Sequence, residues 1–88
     1  MHELSVIQSV CKEVEAIAED HKAKNVLRVV LEVSDLSHMN SHHLKETFLL
    51  FRQANPLLRN TEIEFRQNSD PTVDEIVLRD VELEISDD

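Results

Sequence analysis

Residues 26–33 read Val-Leu-Arg-Val-Val-Leu-Glu-Val, and this stretch decides the fold. Its apolar residues recur with a period of two, which is the side-chain period of a β-strand. Arg28 and Glu32 occupy one face of the predicted strand. Because Val26 and Val30 make that face only half polar, we predict that the strand is central in its sheet. The predicted inward face carries four apolar side chains: Leu27, Val29, Leu31 and Val33.

Helical periodicity precedes and follows this strand. Apolar residues spaced by three and four predict a first amphipathic helix over residues 3–21. Its buried stripe comprises Ile7, Val10, Cys11, Val14, Ile17 and Ala18. Asn40 or Ser41 is suited to cap a second helix, which ends where Asn55 takes a left-handed conformation before Pro56. The stripe of that helix comprises Leu44, Phe48 and Phe51, with Leu50 and Ala54 beside it.

Two further strands complete the predicted elements. Residues 61–66 alternate between apolar and charged, and residues 76–85 do so with a slip that predicts a bulge near Arg79 and Asp80. The order α-β-α-β-β predicts an α+β fold with two helices on one face of a three-stranded mixed sheet. A right-handed crossover would join the first two strands in parallel, and the last two strands would form a hairpin. Residues 1–88 are expected to form one domain.

Composition restricts the function. The chain has 88 residues, with 18 acidic and 9 basic side chains and a formal net charge of -9, which disfavours binding to nucleic acid. The start is not basic and no apolar run would span a bilayer, so we expect a cytoplasmic protein without a membrane segment. The lone cysteine, Cys11, falls on the apolar stripe of the first helix and is expected to pack as a small apolar residue. No phosphate-binding glycine loop or other catalytic constellation is present, so we do not expect an enzyme.

The sharpest chemical feature is the tripeptide Met1-His2-Glu3. A free amine on Met1, the backbone nitrogen of His2 and its imidazole can form a five-membered and a six-membered chelate ring around one metal ion. Three nearly coplanar nitrogen ligands suit Ni(II) and Cu(II), whereas zinc prefers a tetrahedron. The fourth in-plane position remains for the amide nitrogen of Glu3, another side chain or a receiving protein. The alternative is an ordinary helix start, in which Glu3 complements the helix dipole.

Further histidines lie around the start of the second helix, at His38, His42 and His43. Adjacent residues on a helix project about 100° apart, so His42 and His43 are expected to be exposed rather than to share one ion. His38, in the preceding connection, is the best candidate to supplement His2.

Several segments of the chain match one protein family in register. They are Met-His-Glu-Leu-Ser at 1–5, Arg-Val-Val-Leu at 28–31, Asp-Leu-Ser at 35–37, Phe48, Glu-Ile at 75–76 and Val-Glu-Leu-Glu at 81–84. Together they resemble the HypA/HybF family of hydrogenase nickel-incorporation proteins over nearly the whole chain. The resemblance implies that His2 is the principal ligand of Ni(II), with Met1 and Glu3 contributing. Asn40 falls where some members have an acidic residue implicated near nickel.

One feature of that family is missing from this sequence. HypA proteins carry an insertion with two Cys-x-x-Cys pairs that binds zinc, and here residues 68–75 close that position as a short turn, so we expect no zinc. The resemblance implies a nickel metallochaperone for maturation of nickel–iron hydrogenase and of urease. The implied partners are a HypB-type GTPase and a hydrogenase large subunit or urease maturation proteins, and a weak homodimer is expected. The alternative is a metal-free interaction module that kept the fold and lost nickel delivery.

Overall fold

The computed structural model describes residues 2–34, 41–68 and 76–85, with all side chains in these ranges except those of residues 2, 3 and 41. The elements follow the predicted order α-β-α-β-β, with one added 3-10 turn. They are α1 (His2–Asp20), β1 (Ala23–Ser34), α2 (Ser41–Arg52), the 3-10 turn (Pro56–Leu58), β2 (Glu62–Asn68) and β3 (Ile76–Ile85). Neither helix in these ranges is long and apolar enough to cross a membrane.

β1 is the central strand of a three-stranded sheet with the order β2-β1-β3. It pairs with β2 in parallel and with β3 in antiparallel orientation. Three predictions are confirmed by these pairings: the mixed sheet, the central position of residues 26–33, and the parallel relation of the first two strands.

The predicted hairpin between the last two strands is wrong, because β3 pairs with β1 and not with β2. The residue pattern explains this choice. β1 buries consecutive side chains at Val29, Val30 and Leu31, so both of its faces are covered. β2 alternates charged with apolar residues and has no fully buried side chain. The strand with apolar residues on both faces takes the position with two neighbours, which leaves β2 at an edge.

The start of β1 also differs from the prediction. Leu27 is 46% exposed, whereas Val26 is 2% exposed and belongs to the core. The cause is a register shift between Val26 and Arg28 in the pairing with β3, which makes Leu27 an extra residue on β1. Such a bulge exchanges the sides on which neighbouring side chains lie, so Val26 replaces Leu27 in the core.

The predicted bulge in the last strand is confirmed. Val30 pairs with Asp80, and the next residue, Leu31, pairs with Leu78. Arg79 is therefore the extra residue on β3. The apolar residues of β3 change from even to odd positions at the bulge. The extra residue compensates for this change, so the apolar side chains before and after it lie on the core side.

The core lies between the two helices and the sheet. Its buried members are Ile7, Val10, Cys11, Val14, Ala18, Val26, Val29, Leu31, Leu44, Phe48 and Leu58. They confirm the predicted stripe of α1, except for Ile17, which is only partly buried, and the inward positions of Leu44 and Phe48. The expectation that Leu50 and Ala54 join this stripe is wrong, since Leu50 is 70% exposed and Ala54 is exposed beyond the end of α2. Leu50 follows Phe48 by two positions, about 200° around the helix, and so faces away from the core.

The left-handed conformation predicted for Asn55 after α2 is wrong. The Asn55 backbone is extended, with φ -122°, and its side chain caps the 3-10 turn by accepting a hydrogen bond from the backbone N–H of Leu57 at 3.0 Å. The Asn55 amide also donates to the carboxylate of Glu15 on α1. The capping side chain of Asn55 thus joins the 3-10 turn to α1.

The one positive φ of a described residue is 54° at Lys22, directly after α1.

The sheet face opposite the core carries a network of charged pairs. Arg28 on β1 bridges Glu64 on β2 and Glu82 on β3, and Arg66 joins Glu64. Hydrogen bonds to the carboxylates of Glu64 and Glu82 raise the pKa of Arg28, and hydrogen bonds from Arg28 and Arg66 lower the pKa of Glu64. Val30 lies under these side chains and is 1% exposed. The pairs therefore cover an apolar residue on the face that no helix covers.

Cys11 provides a test of core packing. The thiol is 6% exposed, and burial, followed by the charge of Glu15, raises the pKa of Cys11 from 9.0 to about 11. Because the folded pKa is the higher one, its contribution to stability is complete below pH 9.0 and is lost as the pH rises towards 11. Cys11→Ala should lower the free energy of unfolding by about 1 kcal/mol at neutral pH and remove this alkaline loss.

Urea unfolding of both proteins at neutral pH and at about pH 10 measures these two effects. The difference in stability between wild type and variant should shrink at the higher pH, because only the wild type has a thiol that ionises on unfolding. An unchanged difference would contradict the burial of a neutral thiol. Metal binding should be the same in both proteins.

Candidate metal site

The Met-His-Glu start coincides with the start of α1. The helix begins at His2, and Glu3 lies in its first turn. The first four N–H groups of a helix have no acceptor within it, so the backbone nitrogens of His2 and Glu3 are not used by helical hydrogen bonds. Met1, His38 and Asn40 lie outside the described residues, as do the side chains of His2 and Glu3.

The first half of α1 lies beside the start of β3. A groove of about 350 Å³ separates them, and its lining residues are Ser5, Val6, Ser9, Val10, Glu13, Ile76 and Leu78. Ile76 pairs with Val33 near the end of β1, and Ser34 at that end pairs with Asn68, the last residue of β2. The first turns of α1 are therefore at the end of the sheet where β1 and β2 finish and β3 begins.

Two connections leave the sheet at this same end. Residues 35–40, which include His38 and Asn40, follow β1, and residues 69–75 join β2 to β3. The second connection is the position at which the cysteine-containing insertion is expected, from the sequence, to be missing. The last residues of β1 and β2 and the first residue of β3 thus lie at the end of the sheet beside the first turns of α1.

His42 and His43 are exposed on the first turn of α2, as predicted. Their ring centroids are 6.3 Å apart, with the ring planes tilted by 46°. The Nε2 atom of His42 lies 2.9 Å from Oε1 of Glu46, one helical turn later. This pair was not predicted, although the i, i+4 spacing could have indicated it. Among the described side chains, no group of three or more histidine, cysteine or acidic residues could hold a metal ion.

Comparison with known proteins identifies the family. A family model described as hydrogenase/urease nickel incorporation, metallochaperone, hypA, matches residues 1–85. The chain belongs to the HypA family. The match includes the Met-His-Glu start and extends to the last residue of β3, so it covers every element of the fold. The general role of this family is nickel incorporation during maturation of hydrogenase or urease.

Two curated relatives carry the name hydrogenase maturation factor HypA. The protein from Helicobacter hepaticus is 33% identical over 69 residues, which are 78% of this chain and 58% of that relative. The protein from Aquifex aeolicus is 36% identical over 54 residues, which are 61% of this chain and 47% of that relative. The matched region therefore spans about half of the length of each relative.

Solved structures of HypA proteins share the fold. The solution structure of the nickel metallochaperone HypA from Helicobacter pylori aligns with a TM-score of 0.86 at 16% identity, covering 96% of this chain and 98% of that one. A second HypA solution structure aligns with a TM-score of 0.69 at 20% identity, covering 91% and 71%. The two helices and the mixed sheet of this chain are thus the HypA architecture.

The short connection between β2 and β3 generates a prediction about zinc. Purified protein should contain no stoichiometric zinc, and a chelator should leave its circular dichroism spectrum unchanged. A structural zinc site supplies folding free energy, so chelation unfolds a domain that depends on one. Metal analysis and far-ultraviolet spectra before and after chelation check this, with a zinc-finger domain as the positive control. Loss of secondary structure after chelation would contradict the expectation of a zinc-free fold.

Proposed function

We propose that this protein is a nickel metallochaperone that binds Ni(II) at its amino terminus. His2 is the principal ligand through its imidazole, with the Met1 amine and the backbone nitrogens of His2 and Glu3 as the other nitrogen ligands. The Glu3 carboxylate is an outer ligand. The match of the nickel-incorporation family from residue 1 onward is the observation that carries this proposal.

The start of a helix suits these ligands in one respect and opposes the metal in another. The amides of the first turn are free of helical hydrogen bonds, so they are available to bind. The positive end of the helix dipole disfavours a cation. Deprotonated amide ligands and the Glu3 carboxylate offset this effect by placing negative charge beside the ion. Release of the Glu3 nitrogen, the fourth ligand in the plane, would open a position at which the receiving protein removes the cargo by ligand exchange.

His38 and Asn40 are secondary candidates for the fourth in-plane position, in place of the Glu3 nitrogen. Both belong to the connection that leaves β1 at the end of the sheet beside the first turns of α1. An imidazole from His38 would complete a square plane of nitrogen ligands, which Ni(II) favours. Asn40 could contribute only a neutral amide oxygen, which is a weaker ligand for this ion than a carboxylate.

The proposed pathway is maturation of nickel–iron hydrogenase, and by extension of urease. The partners would be a HypB-type GTPase and the hydrogenase large subunit or urease maturation proteins, and the chain would act in the cytoplasm as one domain without zinc and without an enzymatic activity of its own. The hydrogenase part is supported by the names of both curated relatives. Urease enters through the family description.

A metal-free interaction module is the alternative. The residues that favour it are Asn40, which stands where the family pattern can carry an acid, and the stretch 68–75, which lacks two cysteine pairs. On this alternative the fold would retain its docking surfaces, while the Met-His-Glu start would be only a helix start.

Nickel titration by calorimetry distinguishes the two functions. His2→Ala and a variant with one residue added before Met1 should each lose most Ni(II) binding, because the first removes the imidazole and the second converts the terminal amine into an amide. His21→Ala is the matched control, since His21 is exposed after the other end of α1. Affinity should rise with pH because the ligands must lose protons before they bind.

Each unfavourable result has a different meaning. Equal binding by the wild type, His2→Ala and the extended variant would show that the amino-terminal site is wrong and would direct attention to His38. Absence of Ni(II) binding by the wild type would establish the metal-free module. Circular dichroism of all variants should be the same, since the proposal attributes the lost binding to lost ligands and not to unfolding.

A further inference from the structure

The outer edge of β2 is a sheet edge that no other described strand occupies. In the order β2-β1-β3, β2 pairs only with β1 among the described strands. An edge strand presents backbone N–H and C=O groups that can pair with an added strand. Proteins use such edges to bind extended peptides, which gain affinity from the backbone and selectivity from neighbouring side-chain pockets.

A groove runs between this edge and α2. Its volume is about 380 Å³. Its lining residues are Lys45, Leu49 and Arg52 from α2, Thr61 just before β2, and Glu62 and Ile63 at the start of β2. Leu49 and Ile63 are partly buried and supply an apolar surface between two cationic side chains. The groove is therefore placed to receive the side chains of a strand that adds to β2.

The start of β2 is firmly attached to the sheet. Thr61 is 0% exposed, and its hydroxyl donates to the backbone carbonyl of Val26 at 2.6 Å. Arg52 donates from Nη1 to the backbone carbonyl of Thr61 at 2.6 Å, which fixes its guanidinium at the strand edge. A guanidinium has five N–H donors, so this bond leaves others for an incoming carboxylate. Arg52 is thus already oriented before a ligand binds.

The cations of the groove differ from those on the open sheet face. Arg28, Arg66 and Arg79 all form salt bridges with carboxylates. Among the described residues, no carboxylate lies within 4 Å of the charged groups of Lys45 or Arg52. The lining thus holds two cations without a carboxylate within this distance and one acidic side chain, Glu62. In a chain with a net charge of -9, this local excess of positive charge favours an acidic ligand.

We propose that the edge of β2 and the adjoining groove bind an extended acidic segment of a partner protein as an added strand. Lys45 and Arg52 are seven positions apart, so about 10 Å separates them along the helix axis. Residues two and four positions apart on a strand are about 7 and 13 Å apart, with their side chains on the same face. Flexible acidic side chains four positions apart can therefore reach both cations, and the residue between them faces Leu49 and Ile63.

The expected recognition pattern is acidic-x-apolar-x-acidic. A second copy of this chain fits the edge less well, because symmetric pairing of two β2 strands would place Lys45 and Arg52 of each copy near the same cations of the other. The inference is independent of nickel binding at the amino terminus, since it rests on α2 and β2 alone.

The test uses the full chain labelled with ¹⁵N and a peptide, acetyl-Thr-Glu-Thr-Val-Thr-Glu-Thr-amide. Amide resonances of β2 should shift on titration, while those of β3 at the other edge should not. Lys45→Glu should weaken binding by about tenfold or more, since it replaces an attraction by a repulsion. Lys12→Glu, an equal change of charge at an exposed position of α1, should have little effect.

Two further peptides test the mode of binding. A peptide with lysine in place of glutamate should not bind the wild type and should bind Lys45→Glu better. Peptides N-methylated on alternate residues should differ, because only one of the two sets of alternate amides faces the edge of an added strand. Absence of shifts in β2, equal binding of the acidic peptide to Lys45→Glu, or equal binding of both methylated sets would overturn the proposal.

Discussion

The burial of β1 on both faces is the constraint from which the other elements take their places. Val29 and Leu31 pack under the helices, while Val30 between them is 1% exposed on the opposite face. A strand with apolar residues on both sides is stable only with a neighbour at each edge and a cover on each face. Two helices supply one cover. The long side chains around the salt bridges of Arg28 supply the other, so the charged face is also part of the packing.

Periodicity predicted the existence and order of the helices and strands, because repeats of 3.6 and 2 residues follow directly from side-chain directions. It placed Leu27 inside and Val26 outside, which is wrong. The bulge on β1 depends on the pairing with β3, and its sequence shows no slip in alternation as clear as the one at Arg79. The hairpin failed for a related reason. The prediction paired β2 with β3 because they are adjacent in the sequence. The observed order β2-β1-β3 instead gives the doubly buried β1 a neighbour at each edge, and this depends on the whole sheet.

The candidate metal ligands could be named from the sequence because their chemistry is local to one tripeptide. Their relation to the rest of the molecule could not, because it depends on the strand order. Only when β3 lies beside β1 does Ile76 reach the end of the sheet that holds Val33 and the first half of α1. The strand order therefore places the described ends of β1 and β3 beside the first half of α1, which periodicity alone could not predict.

The central position of β1 also has a consequence at the opposite side of the sheet, since it makes β2 an edge strand with α2 beside it. The net charge of -9 repels acidic ligands at long range, yet screening limits this repulsion to about 8 Å at physiological ionic strength. Within that distance the nearest charges decide the outcome. Arg28 cannot attract an acidic segment strongly because Glu64 and Glu82 already pair with it, whereas Arg52 has only a backbone carbonyl as its partner among the described residues. Arg28 on the open sheet face is thus neutralised by its carboxylate partners, whereas Arg52 in the groove beside β2 can still attract an acidic ligand.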